Sequence, residues 1–245
     1  MHKPTLRVLQ VLELLCETGQ NLRLAEISRM LDVPKSTLLP ILQTMVEEGF
    51  LGKDDSEKYC PGIALLTVGA AARNTHSQSE EIRVRLQSLV DQFGETCYYG
   101  VLDGGQVLYM EKVDSPQPLR MLTTIGHRLP AYATGLGKAL LMDHTLADLK
   151  ALYSDKLDGL TKNTVRDLKE LIRQLQQAKM QGYSWEVEES TEHIRCFGVP
   201  VRKDGKIAGA VSIAIPLFRY EESKREEIIT ALQKTAKIME NTMKL

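Results

Sequence analysis

The 245-residue sequence has no apolar run approaching 18 residues, so no segment qualifies as a membrane-spanning helix. No basic stretch near its start leads into an uninterrupted apolar core and a cleavage site, and a cytoplasmic protein is expected. Its four cysteines (Cys16, Cys60, Cys97, Cys196) lie far apart with no C-x-x-C pair, which argues against a zinc ribbon, a redox motif or a disulfide scaffold. Each is expected to be a small buried hydrophobe. Charge of either sign is not in excess: the formal net charge is −1. Residues 1–76 hold eight Lys/Arg against nine Asp/Glu, and the remainder holds 23 of each. Bulk charge therefore gives no support to nucleic-acid binding, which must be argued from placement. Neither G-x-S-x-G nor H-E-x-x-H occurs, and there is no internal repeat or low-complexity tract.

The most organised stretch runs from Leu24 to Phe50 and reads as two short amphipathic helices joined by a tight turn. Ile27, Met30 and Leu31 share one face of the first; Val33, Leu38, Ile41, Leu42 and Met45 repeat at helical spacing through the second. Asp32 stands at the turn, where a short polar side chain tolerates left-handed dihedrals. Lys35, Ser36 and Thr37 open the second helix, where a helix-turn-helix presents residues to DNA. An ordinary αα-hairpin in a helical core is the competing reading.

Thr5 is a plausible N-cap for a preceding helix to about Thr18, ended by Gly19. Its apolar residues cover more than half the circumference, leaving a surplus that could pack on a second copy of the chain. After the helix pair, Gly49 is a stop, and residues 50–59 read as a hairpin turning at Asp54-Asp55-Ser56. Helix, helix-turn-helix and hairpin are the order of a winged helix-turn-helix, with Lys53 and Lys58 as candidate phosphate contacts on the wing. This order favours DNA binding over the plain hairpin of helices.

Pro61-Gly62 marks a boundary, followed by a linking helix from Ile63 to Arg73. The expected domains are a DNA-binding domain over 1–61, a linking helix over 62–77 and a second domain over 78–245. In the second, the patterning predicts a helix over Glu80–Phe93 and strands over Glu95–Leu102, Val107–Val113 and Leu119–Thr124, with Gly104-Gly105 as a hairpin turn. Helices follow over Leu136–Asp143, Leu146–Tyr153 and Val165–Gln181, the last introduced by Thr161-Lys162-Asn163-Thr164 and stopped by Gly182. Strands over Tyr183–Glu188, Ile194–Val201 and Lys206–Ile215 precede Pro216 and a charged helix from about Glu221. This grouping is α+β: an antiparallel sheet with helices packed on it.

Residues 132–139, Tyr-Ala-Thr-Gly-Leu-Gly-Lys-Ala, carry the most distinctive pattern there. Gly135 and Gly137 permit close backbone approach, and the N–H groups opening the next helix could hold a carboxylate or phosphate. A nucleotide-binding P-loop fails on spacing, since Tyr132 replaces the first glycine and Ala139 follows Lys138. The alternative is glycines for tight packing with Lys138 solvated. Glu186, Glu188 and Glu189 suggest paired carboxylates, with Glu186 and Glu188 on one face of a strand and Glu189 opposite; an acidic strand edge at the surface is the more frequent explanation. His127, His144 and His193 are too scattered to propose a metal site, with His193 and Cys196 the nearest pair.

End to end, the chain resembles the IclR family of bacterial transcription regulators. The resemblance is carried by residues 24–28 (Leu-Ala-Glu-Ile-Ser), 33–37 (Val-Pro-Lys-Ser-Thr), 48–50 (Glu-Gly-Phe), 128–134 (Arg-Leu-Pro-Ala-Tyr-Ala-Thr) and 137–141 (Gly-Lys-Ala-Leu-Leu). Gly182-Tyr183, Glu188-Glu189, Ile194-Arg195-Cys196 and Pro200-Val201 complete it. It implies a winged helix-turn-helix, a linking helix and a GAF/profilin-like effector domain. It also implies a homodimer or homotetramer bound to a double-stranded DNA operator, modulated by a small organic acid, with no catalytic residues, cofactor or metal. A small-molecule enzyme, or an interaction module with a non-functional head, is the alternative.

The resemblance places an effector pocket at Met121, Leu129, Gly135, Leu136, Glu186, Ile194, Cys196, Ser212 and Ala214, with the effector carboxylate on the backbone before the Lys138 helix. Some members have serine where Ala214 stands and aspartate where Glu186 stands. The DNA face would carry Arg23, Lys35, Ser36, Thr37 and Leu39. Arg23 occupies a position where Ser or Thr usually caps a helix, and Pro40 one that is usually arginine. An interior proline costs a helix about 3 kcal/mol. If Thr37 is the N-cap, Pro40 falls in the first turn, whose N–H groups lack intrahelical partners anyway. The expectation is a recognition helix that begins late or is kinked.

Overall fold

The computed structural model describes residues 1–75, 79–118 and 123–242 and divides into two compact units, Met1–Ser77 and Gln78–Leu245. No helix among the described residues is long and apolar enough to cross a membrane.

The first unit is built from α1 (Lys3–Thr18), α2 (Leu24–Leu31), α3 (Lys35–Glu47), strands β1 (Leu51–Lys53) and β2 (Tyr59–Pro61), and α4 (Ala64–Thr75). α1 begins two residues before Thr5: Pro4 fits its first turn, and Thr5 Oγ1 pairs with the His2 ring at 2.8 Å rather than capping. Gly19 ends it at φ 59°. Between α2 and α3, Asp32 takes the left-handed conformation at φ 51°. Its N–H bonds the Arg29 carbonyl while Val33 N–H bonds the Ser28 carbonyl, the two-bond closure that satisfies the last carbonyls of a helix. The Ser28 hydroxyl also donates to the Val33 carbonyl at 2.7 Å, fixing the angle at which α3 leaves.

α3 does not begin late. Pro34 is its N-cap, with the amides of Thr37 and Leu38 both donating to the Pro34 carbonyl, so Thr37 is already in the first turn. Pro40 therefore lies inside the helix, with no N–H to offer the Ser36 carbonyl. Leu38, Leu42 and Met45 meet Val11, Leu15, Ile27, Leu51 and Tyr59 in one apolar core. That burial outweighs the lost bond, because most helical stability in proteins comes from the packed face. The hairpin is tied down by Leu22 and Tyr59, which exchange backbone bonds, and by Asn21 donating to the Asp54 carboxylate at 2.8 Å.

The second unit is a three-layer α/β/α sandwich around an antiparallel sheet. Its strands are β3 (Thr96–Asp103), β4 (Gln106–Val113), β5 (Arg128–Pro130), β6 (Ser184–Val187), β7 (Ile194–Lys203) and β8 (Lys206–Pro216), in the order β5-β4-β3-β8-β7-β6. The β5 strand was not expected from the sequence, and the strand expected over Leu119–Thr124 falls largely outside the described residues. Gly104 and Gly105 turn β3 into β4 with φ 55° and 84°.

Alternation sorts the side chains. Cys97, Tyr99, Val211, Ile213, Phe197 and Val199 pack under α5 (Ser79–Phe93) and α9 (Arg225–Thr242). The opposite face carries smaller residues, among them Ala210, Ser212, Ala214 and Gly198, and is covered by α6 (Gly135–Leu140), α7 (Leu146–Leu152) and α8 (Leu168–Gln181). α8 begins at Leu168, three residues later than expected: Asp167 caps it by accepting from the amides of Lys169 and Glu170. The threonines thought to introduce it serve elsewhere, as described below. Of the four cysteines only Cys97 is buried; Cys16 is exposed, and Cys60 and Cys196 are half-buried.

Replacing Pro40 with alanine supplies an amide for the Ser36 carbonyl and should raise head stability by roughly 1–3 kcal/mol, read as slower hydrogen exchange of α3 amides. Gly137→Ala should act oppositely. An added Cβ would lie 2.2 Å from the Ala131 carbonyl oxygen, a backbone atom that cannot yield alone. A loss of about 3 kcal/mol is expected in urea unfolding followed by the fluorescence of Trp185, the one tryptophan.

Candidate functional site: a DNA-facing helix and a buried acid–base cluster

In the first unit, the face of α3 opposite its core stripe presents Lys35, Ser36, Leu39 and Pro40, all exposed, with Thr37 half-buried beside them. Helical spacing extends this stripe to Gln43, also exposed, a residue the sequence reading passed over although it follows Ser36 by seven. Arg23 is exposed and is the N-cap of α2. Its backbone N–H donates to the Glu26 carboxylate at 2.7 Å, and its side chain makes no capping bond. An arginine has no acceptor to offer there, so the guanidinium is left to solvent or to a phosphate. The wing differs from expectation. Lys53 pairs with Glu57 across the turn and sits 5.7 Å from the Tyr59 ring, so a phosphate would have to displace Glu57. Lys58 lies in the turn rather than in a strand, and the Asp54 carboxylate accepts its amide.

In the second unit, the site is organised by the approach of α6 to the sheet. Thr134 caps α6 by accepting the Gly137 amide at 2.8 Å. The first turn rests on β7 so closely that a Cβ on Gly135 would lie 2.9 Å from the Cys196 Cβ, and one on Gly198 would lie 2.5 Å from the Gly135 carbonyl oxygen. The Ser184 hydroxyl donates to that carbonyl at 2.6 Å and pins it. The packing reading of the two glycines is thus correct as far as it goes. The solvated lysine is not: Lys138 is 2% exposed and forms an ion pair with Glu189.

The acidic strand edge is also internal. β6 ends at Val187, and Glu188 adopts φ 56°, which breaks the alternation. Glu186 and Glu189 are thereby both buried, while Glu188 turns outward to Asn163 and the His193 amide. Thr161 and Thr164 hold this turn through hydroxyl bonds to the Glu188 and Glu189 carbonyls. One Glu186 oxygen accepts the Glu189 amide at 2.7 Å, and the Cys196 thiol, a weak donor, faces the carboxyl group. Burial raises the Glu186 carboxyl to about 7, opposed by the nearby Cys196 thiol, the Glu189 amide and Lys138. Near neutral pH the group is thus divided between acid and carboxylate.

Register aligns Glu186, Cys196, Ala214 and Thr96 across four strands, with Ser184, Gly198, Ser212 and Tyr98 in the next row. Leu129, Leu136 and Ile194 complete the same face. Of the nine residues proposed for a pocket, eight therefore gather under or beside α6; Met121 lies outside the described residues. His193 is far from forming a ligand set with Cys196: its ring is exposed and faces Glu188 at 3.5 Å.

Residues 4–55 match the IclR helix-turn-helix domain, and residues 71–240 match the C-terminal domain of bacterial transcriptional regulators of the IclR type. The chain belongs to the IclR family. This IclR regulator is 31% identical over 241 residues to the HTH-type transcriptional regulator KdgR of Dickeya chrysanthemi, covering 97% of this chain and 79% of that one. The fold of its second unit is similar to the C-terminal domain of Escherichia coli transcriptional regulator KdgR, at 28% identity and a TM-score of 0.59 over 66% of this chain and 95% of that one. The fold of an IclR transcriptional regulator from Alicyclobacillus acidocaldarius matches at a TM-score of 0.87 and 23% identity, covering 98% of each chain. The family consists of DNA-binding transcription regulators, so the enzyme alternative falls.

Glu186 makes a pH signature. Its pKa in the folded chain, about 7, exceeds the ordinary carboxyl value of 4.5. The unfolded chain releases the proton first, so stability falls as pH rises from about 4.5 through 7. Glu186→Gln should remove a decline of roughly 3 kcal/mol, measured as the difference between variant and native urea midpoints at pH 5 and pH 8. Equal pH dependence in both proteins would contradict the assignment.

Proposed function

We propose that this chain is an operator-binding regulator whose grip on DNA is modulated by a small organic acid, of the sugar-acid or keto-acid type, bound on the α6 face. The proposed division is a DNA-binding head over 1–61, a linking helix over 62–77 and an effector domain over 78–245. The observation that carries the effector reading is the carboxyl of Glu186, buried on the sheet face under α6. Lys138 and Glu189 neutralise each other, while Glu186 is held by the Glu189 amide and the Cys196 thiol in the row of small residues that includes Ala214. A buried carboxyl faced by so weak a donor as a thiol can exchange it for a ligand hydroxyl or a water. The Gly137 amide of α6 is taken by Thr134, and the amides of Gly135 and Leu136 ahead of it suit a carboxylate.

Lys35, Ser36, Thr37 and Leu39, with Gln43, form the surface that reads the operator; Arg23, Lys53 and Lys58 contact phosphates. The protein is cytoplasmic and works as a homodimer or homotetramer. The exposed Leu9 on α1 and the exposed Ile63, Leu66 and Val68 at and within α4 supply apolar surface for a second copy. An effector that prefers one spacing of the two heads would shift operator affinity by its differential binding.

In fluorescence anisotropy with a fragment of its own upstream region, log affinity should fall linearly with log salt. Lys35→Ala should weaken binding and reduce that slope by about one, whereas Leu39→Ala should leave the slope unchanged and lower discrimination against unrelated DNA. Absence of any sequence preference at moderate salt would overturn the operator reading.

A further inference from the structure

From Ser36 to Val46 the helix α3 carries no charged residue. Its outward stripe there holds Ser36, Leu39, Pro40, Gln43 and Thr44, all exposed, Leu39 to 40%. Single exposed leucines are ordinary on protein surfaces. The proline beside this one is not. Pro40 lies outside the apolar core built on Leu38, Leu42 and Met45, so it adds nothing to packing, yet it withholds a bond from the Ser36 carbonyl. Its remaining asset is an outward apolar ring. Thr44, one turn on, donates its hydroxyl to the Pro40 carbonyl at 3.0 Å. That hydroxyl is engaged with the helix, and the γ-methyl is the group left for a partner. Leu39, Pro40 and Thr44 thus make a small apolar strip. The cations stand at its margins, with Lys35 opening α3 and Arg23 opening α2.

Positive charge at the margins and none in the middle fits a duplex. Phosphates line the edges of the major groove, where Lys35 and Arg23 can meet them, and the floor offers base edges. On that floor the thymine C5-methyl is the apolar group. Guanine is read most often by arginine or lysine, and past Lys35 the helix has neither. Gln43, on the same stripe, carries the amide that pairs with adenine N6 and N7. We infer that Leu39, Pro40 and Thr44 read thymine methyl groups in the major groove, so that the base pairs under the middle of α3 are A·T. This rests on the operator-binding reading above and gives the chemistry that its DNA face recognises.

The test selects sites for the full-length protein from a random duplex library, then replaces each thymine of the selected site by uracil. Uracil keeps the base pair and deletes only the methyl. In fluorescence anisotropy, one or two uracils per half-site should weaken binding about fourfold each, the worth of one buried methyl. The salt slope should not change, since no phosphate contact is lost. Leu39→Ala or Thr44→Ser should reduce at least one of those penalties to below about twofold. Thr44→Ser removes the methyl while keeping a hydroxyl for the Pro40 carbonyl. The readout is the coupling between variant and uracil, which a general loss of affinity or stability does not mimic. Uracil tolerated at every position, or selected half-sites that lack thymine, would overturn the inference and leave the operator reading standing. So would penalties that persist undiminished in both variants, because they would then arise from duplex shape rather than from these side chains. Failure of the selection to enrich any sequence would overturn the operator reading itself.

Discussion

The seating of α6 on β7 is the constraint from which the chemistry of the second unit follows. Gly135 and Gly198 bring two backbones together where any side chain would collide, and Ser184 fixes the contact by a hydrogen bond to the Gly135 carbonyl. A helix held that close carries Lys138 beneath the surface, where an ammonium group is tolerated only with a counter-charge. Glu189 supplies the charge, and it can do so because Glu188 takes a left-handed conformation that turns the chain inward. Thr161 and Thr164 hold that turn from outside the sheet. The same turn leaves Glu186 buried, bound by the Glu189 amide and faced by the Cys196 thiol. A polar site inside an apolar layer is therefore the by-product of one tight backbone contact.

The sandwich is asymmetric in a way that serves this. One sheet face is lined by Val211, Ile213, Phe197 and Val199 and forms a dense core under α5 and α9. The other presents Ala210, Ser212, Ala214 and Gly198, whose small volumes allow α6 to approach. Bulky side chains sit on one side of the sheet and close backbone approach on the other, and one alternating strand pattern specifies both.

In the head, a nearly neutral charge balance does not prevent a DNA-facing surface, because local placement decides the field a phosphate meets. Lys35 opens α3 and Arg23 opens α2, each at a helix N-terminus whose free amides also favour an anion. Pro40 withholds one intrahelical bond and any positive charge from the middle of the same face. The contrast between an unpaired Arg23 side chain and a Lys53 engaged by Glu57 divides the candidate phosphate contacts into ready and masked ones.

The sequence by itself determined what local chemistry controls. Gly19, Asp32, Gly104, Gly105 and Gly182 all take the left-handed conformations that end helices or turn strands, and apolar stripes such as Leu38, Leu42 and Met45 placed the helices to within a few residues. Motifs of helix, turn and hairpin were sufficient to read a winged head. Helix starts were less legible, because Pro34, His2 and Asp167 competed with nearby threonines that looked equally able to cap. Only the tertiary structure decided which charges are inside. Lys138 and Glu189 are 51 residues apart, and nothing within either segment announces that the other will neutralise it. Strand register likewise decided that Tyr98 rather than Tyr99 shares a face with Glu186. Burial of a polar group is a property of what folds against it, and that partner comes from elsewhere in the chain.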